Sequence, residues 1–144
     1  MIKRHPRKPA GRPSRATLDT MAALALEARK RAHAPYSRFK VGAALKTRAG
    51  EIVTGCNIEN ASYGLTLCAE RVAVFKAISE GLEDFDAIVV AAESKRVTAP
   101  CGPCRQILWE FCGDLLVHMV SPRGGSRTWR LSRLLPLPFD GDNL

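Results

Sequence analysis

Two short strings gather residue types that can do chemistry. In Cys101-Gly102-Pro103-Cys104 the thiols are three positions apart, hence ~60° apart around a helix and close enough for both sulfurs to hold one ion. Pro100 and Pro103 mark a helix start there, where free amides and the helix dipole favour thiolate over thiol. This string alone fits either a dithiol that cycles through a disulfide or half of a zinc site. Cys68-Ala69-Glu70 adds a third thiol and a carboxylate at another helix start. Residues two apart point ~200° apart on a helix, so Cys68 and Glu70 converge only on something beyond the helix end. Three cysteines would leave the fourth tetrahedral position of Zn²⁺ open for water, and Glu70 is placed as the base for that water's protons. Three thiolates overbalance the charge of the ion. Arg71, next to Glu70, and the two helix N-termini are the available offsets. The other two cysteines, Cys56 on a strand and Cys112 at the far end of the second helix, read as small buried hydrophobes.

These strings need a scaffold, and the hydrophobic spacing supplies one. Leu18, Met21, Ala22, Ala25 and Ala28 recur at helical intervals, which predicts a helix capped by Thr17 or Asp19 and running to about Ala32. Val41, Ala43 and Leu45 alternate as in a half-buried strand, and Arg48-Ala49-Gly50 turns into a second strand over 51–57. Residues 58–67 lack periodicity and read as an ordered loop. A helix over 68–80 stops at Gly81, and the apolar run Phe85 to Ala92 reads as a strand covered on both faces. Another helix ends near Gly113, strands follow over 115–120 and 127–130, and a last helical turn covers 131–135. This order predicts an α/β fold with a five-stranded mixed sheet and helices on both faces, a three-layer α/β/α arrangement.

The chain has 144 residues, with 22 Lys and Arg against 14 Asp and Glu, for a formal net charge of +8. Six of the cations (Lys3, Arg4, Arg7, Lys8, Arg12 and Arg15) fall in residues 1–16 with no acidic residue among them. This segment, rich in proline and poor in apolar residues, reads as a basic disordered tail preceding one domain over 17–144. Its affinity for a polyanion would be weak, non-specific and salt-sensitive. The body is nearly neutral, which argues against a nucleic-acid partner there. No apolar run approaches the ~20 residues of a membrane span, and the N-terminus lacks a signal-peptide pattern. Five cysteines in such a chain point to metal ligands, catalytic groups or buried small hydrophobes in a reducing, cytoplasmic setting rather than to a disulfide framework.

The pair of cysteine strings resembles the zinc-dependent nucleoside and nucleotide deaminases. Tyr36-Ser37-Arg38-Phe39-Lys40-Val41-Gly42-Ala43-Ala44-Leu45 and Asn57-Ile58-Glu59-Asn60-Ala61-Ser62-Tyr63 narrow the resemblance to the short, homotetrameric cytidine deaminases. It runs from about Leu18 to Phe139. It implies one Zn²⁺ per chain on Cys68, Cys101 and Cys104, Glu70 as the catalytic proton shuttle, and Phe39, Asn57, Glu59, Tyr63 and Ala69 as substrate-binding residues. The implied substrate is a small nucleoside. Cytidine and deoxycytidine would be hydrolysed to uridine and deoxyuridine plus ammonia, as activated water attacks C4. Three rivals are a polynucleotide deaminase tethered by the basic tail, a metal-free dithiol oxidoreductase, and a zinc-stabilised binding module without turnover.

Overall fold

The computed structural model describes residues 11–144. Helix α1 (Arg15–Lys30) starts where Ser14, in extended backbone, accepts a hydrogen bond from the Thr17 amide at 3.1 Å, satisfying one of the donors a first turn leaves open. The expected caps, Thr17 and Asp19, lie inside this helix. The Thr17 hydroxyl sits 2.9 Å from that of Ser14 instead of capping a later start. The helix therefore takes in Arg15 and Ala16, and it closes at Lys30 rather than Ala32, where the Arg31 amide turns back onto Ala28 and Arg29. Residues 1–10 of the expected disordered tail lie outside the described residues.

Five strands follow the predicted order: β1 (Val41–Thr47), β2 (Ile52–Cys56), β3 (Phe85–Ala92), β4 (Leu116–Ser121) and β5 (Gly125–Arg130). They form one sheet in the order β2-β1-β3-β4-β5. Only the β3–β4 pair is parallel, so the sheet is mixed. A parallel pair needs a crossover, and α3 (Gly102–Cys112) provides it. Helix α2 (Ala69–Ser79) connects β2 to β3, and α4 (Leu131–Leu134) follows β5. Residues 58–67 form the expected loop, tied down by isolated bridges from Ile58 to His33 and to Leu67 and containing one 3-10 turn, Tyr63–Leu65.

The strand period of two sends alternate residues of β1 and β3 to opposite layers. Ala44, Ala87, Val89 and Ala91 meet Leu18, Met21 and Ala25 of α1. Ala43, Leu45, Ile88, Val90 and Ala92 meet Ala73, Val74 and Ala77 of α2 and Leu108 and Cys112 of α3. Every residue of β3 is consequently buried, as its unbroken apolar run predicts. The three-layer arrangement leaves α2 and α3 side by side on one face. Helix α2 also lies very close to the sheet: a Cβ at Gly55 would stand 2.6 Å from the Ala69 carbonyl oxygen and 2.6 Å from the Ala73 nitrogen. Only a residue without Cβ permits that approach. Cys112 is buried in the core as expected, whereas Cys56, at the end of β2, is only half-buried.

Candidate active site

The cysteine cluster is built by two helix caps. Cys68 caps α2 and Cys101 caps α3, both in extended backbone and neither using its sulfur to cap its own helix. Pro103 in the first turn of α3 fits a position that needs no amide donor. Cys104 lies one turn in and is fully buried. Cys68 Sγ is 3.8 Å from Cys101 Sγ, Cys101 Sγ is 3.4 Å from Cys104 Sγ, and all three lie within 4.8 Å of one another. Tetrahedral zinc with Zn–S bonds near ~2.3 Å requires S···S separations of roughly 3.8 Å. The three sulfurs therefore fit one zinc ion, and three thiolates are a donor set that zinc favours.

The surrounding charges support that reading. Arg71 Nη2 donates to Cys68 Sγ at 3.4 Å and to the Thr66 carbonyl at 3.1 Å. Its Nε is buried without a hydrogen-bond partner. A hydrogen bond from Cys104, with help from Arg71, holds the Cys68 thiol down to about 5. The same interaction pushes the Cys104 thiol up, so the two sulfurs share a single negative charge. A divalent cation would allow all three to be thiolates.

Glu70, in the first turn of α2, is 4% exposed, and burial pushes its carboxyl up to about 7, with the Cys68 charge adding to the effect. It shares a cleft of about 240 Å³ with Cys68, Ala69 and Cys101 on one side and Phe39, Asn57, Glu59 and Tyr63 on the other. All the expected site residues except Cys104 and Arg71 line this cleft, and those two stand directly behind it. Phe39 is 41% exposed, so it is an open face of the cleft and not a core residue. The buried Glu59 carboxylate accepts from the amides of Tyr36 at 2.8 Å and Ser37 at 3.2 Å, and from the Ser37 hydroxyl. Burial opposes its ionisation, but these donors and the Tyr63 side chain hold the carboxyl below the usual range.

Asn57 does more than face the cleft. Its Oδ1 accepts from the Val41 amide and its Nδ2 donates to the Phe39 carbonyl, each at 2.8 Å, leaving one N–H for a ligand. Ser37, Val41, Thr66, Val90, Thr98 and Ala99 complete the lining of the cleft. Ser37 lies within the Tyr36–Leu45 string, so its position carried a signal. Thr98 and Ala99 precede Pro100 and carried none.

Known proteins give the same picture. The model for the cytidine and deoxycytidylate deaminase zinc-binding region matches residues 15–119. The chain is 50% identical to the cytidine deaminase of Halalkalibacterium halodurans over 121 residues, covering 83% of this chain and 92% of that protein. It is 33% identical to the blasticidin-S deaminase of Bacillus cereus over 111 residues, 72% of this chain and 79% of that one. Among solved structures, the cytidine deaminase of Burkholderia pseudomallei aligns with a TM-score of 0.82 at 45% identity, covering 84% of this chain and 98% of that one.

Proposed function

The chain belongs to the cytidine and deoxycytidylate deaminase family, and from that premise we propose that it hydrolyses cytidine and deoxycytidine to uridine and deoxyuridine with release of ammonia. The observation that carries this reading is the convergence of three cysteine sulfurs and a buried carboxyl in one cleft, opposite an aromatic ring, an amide and a second carboxylate. Zinc held by Cys68, Cys101 and Cys104 would supply the Lewis acidity that lets water attack an amidine carbon near neutral pH. Glu70 takes a proton from the attacking water and gives it to ring N3, then moves a proton to the departing amino group at C4. A carboxyl near 7 can accept and release protons in turn at neutral pH. Arg71 offsets the excess negative charge of the thiolates.

Phe39 stacks on the pyrimidine, and the Ala69 amide, among the unsatisfied donors of the first turn of α2, meets the base's polar edge. Asn57 and Glu59 hold the sugar hydroxyls through the remaining amide N–H and the carboxylate. Tyr63, hydrogen-bonded to Glu59, lies at the rim. We assign the enzyme to pyrimidine salvage in the cytoplasm, where zinc-ligating thiols stay reduced. Its assembly is a homotetramer. Exposed apolar side chains on α2 and α3 (Phe75, Ile78 and Phe111) support self-association. Among the described residues no helix is long and apolar enough to cross a membrane.

The test is ammonia release from cytidine, deoxycytidine, CMP, blasticidin S and single-stranded DNA, with zinc measured on the same sample. Deamination of the free nucleosides at about one zinc per chain is expected. Glu70→Gln should keep its zinc and lose at least ~10²-fold in turnover. A zinc-loaded Gln variant of wild-type activity refutes the role of Glu70, and activity on DNA alone refutes the substrate class.

A further inference from the structure

Phe39 has both main-chain polar groups held by side chains from the sugar-facing part of the cleft. Its carbonyl accepts from Asn57 Nδ2 at 2.8 Å, and its amide donates to Ser37 Oγ at 3.0 Å. The Ser37 hydroxyl in turn donates to Glu59 Oε1. A hydroxyl has one hydrogen to give and lone pairs to accept with, so Ser37 is engaged in both directions at once. Between Ser37 and Phe39 stands Arg38, at φ 59°, a left-handed conformation that is costly for a residue with a Cβ. The bond from the Phe39 amide back to Ser37 closes the turn around that residue, as serine hydroxyls do two positions upstream.

Glu59 already accepts from the Tyr36 amide, the Ser37 amide, the Ser37 hydroxyl and the Tyr63 side chain. A carboxylate has about four acceptor sites. The two amides are fixed by the backbone, whereas the hydroxyl can rotate. A sugar hydroxyl that donates to Glu59 adds a further donor to a carboxylate that the Ser37 hydroxyl and the Tyr63 side chain already share, so it weakens the Ser37 bond or turns that hydroxyl away, and the change reaches the Phe39 amide through Ser37 Oγ. We propose that Ser37 is a positioning residue that couples recognition of the sugar by Glu59 to placement of the Phe39 ring against the base. This rests on reading the cleft as a nucleoside site.

The experiment compares kcat and KM of the zinc-loaded wild type, Ser37→Ala and Ser37→Thr on cytidine and on 2′,3′-dideoxycytidine, which lacks the ring hydroxyls. Ser37→Ala should lower kcat/KM for cytidine about tenfold, mostly through KM, and by less than about threefold for the dideoxy substrate. Ser37→Thr keeps the hydroxyl and should recover to within about threefold. In a Glu59→Ala background the added Ser37→Ala loss should also shrink below about threefold, because the two act through one path. Equal losses on both nucleosides, additive losses in the double variant, or wild-type kinetics for Ser37→Ala overturn the coupling. If the dideoxy substrate reacts too slowly, competitive inhibition by uridine and by 2′,3′-dideoxyuridine gives the same comparison. If Ser37→Ala does not load zinc, Ser37→Gly replaces it. A wild-type protein that leaves cytidine intact refutes the nucleoside reading and this inference with it. One that deaminates cytidine with Ser37 immaterial refutes the inference alone.

Discussion

Gly55→Ala isolates the dependence of the chemistry on how closely α2 approaches the sheet. The added methyl would lie 2.6 Å from the Ala69 oxygen and 2.6 Å from the Ala73 nitrogen, where ordinary contact begins at 3.4 Å. Both obstacles are helix backbone, so no side chain can swing aside, and α2 must retreat by about 0.8 Å. Overpacking of this kind costs about 1–3 kcal/mol, which at this chain length lowers Tm by roughly 4–10 °C. Cys68 and Glu70 ride on the first turn of α2 while Cys101 and Cys104 ride on α3. Misplacement near 1 Å at a reacting centre costs on the order of 10²-fold in rate. The control is Gly42→Ala, whose methyl would lie 1.9 Å from the Ala25 oxygen of α1, on the other face of the sheet. It should destabilise more, by about 3 kcal/mol or above, yet leave kcat/KM per zinc-loaded molecule within about threefold. Thermal unfolding, zinc content and ammonia release on both variants decide the matter. Wild-type kcat/KM and Tm in Gly55→Ala, or losses of activity in both variants only in proportion to their unfolded fraction, refute this dependence on the approach of α2.

Zinc removal should abolish deamination and, for a site saturated at about 100 times Kd, remove about 2.7 kcal/mol of stability, read as a lower Tm after chelation. Because Cys68 is held as a thiolate at about 5, zinc uptake at pH 7 should release fewer than three protons per ion. Titration calorimetry in buffers of different ionisation enthalpy counts them, and three or more would contradict the shared charge. His118 is buried on β4, with Nδ1 2.7 Å from Thr128 Oγ1. Burial lowers its pKa, partly countered by Asp19 and reinforced by Arg12. The unfolded chain therefore takes up the proton first, and stability falls as pH drops below the unfolded value near ~6.5. Glu70 and the cysteine cluster titrate in the same window, so the His118 contribution is read as the difference between denaturant melts of wild type and His118→Gln from pH 8 to pH 5; identical slopes would reject the assignment.

The elements and the three cysteines that could hold a zinc ion are legible in the chain because their signals are local. Helix stops, strand alternation and the double burial of β3 each depend on a few neighbouring residues. So does the reading of Cys68, Cys101 and Cys104 as thiols at helix starts, where amides and dipole favour thiolate whatever the distant fold does. Where signals competed locally, the reading slipped: Ser14, Thr17 and Asp19 are all good caps, and the Ser14 hydroxyl prevails. Cys56 reads as a buried small hydrophobe, but it ends β2, an edge strand of the sheet, and is half-buried.

Other features exist only once distant segments meet. Cys68 comes within 3.8 Å of Cys101 because α2 and α3 lie side by side on one face of the sheet. The closeness of α2 depends on the missing methyl of Gly55, whose meaning appears only when the helix backbone stands opposite it. Ser37 reads as an ordinary loop serine until Glu59 and the Phe39 amide converge on its hydroxyl. Residue type dictates which groups can bind a metal or carry a proton. Whether those groups share one cleft, and which hydrogen bonds they have already spent, depends on packing between segments far apart in the chain.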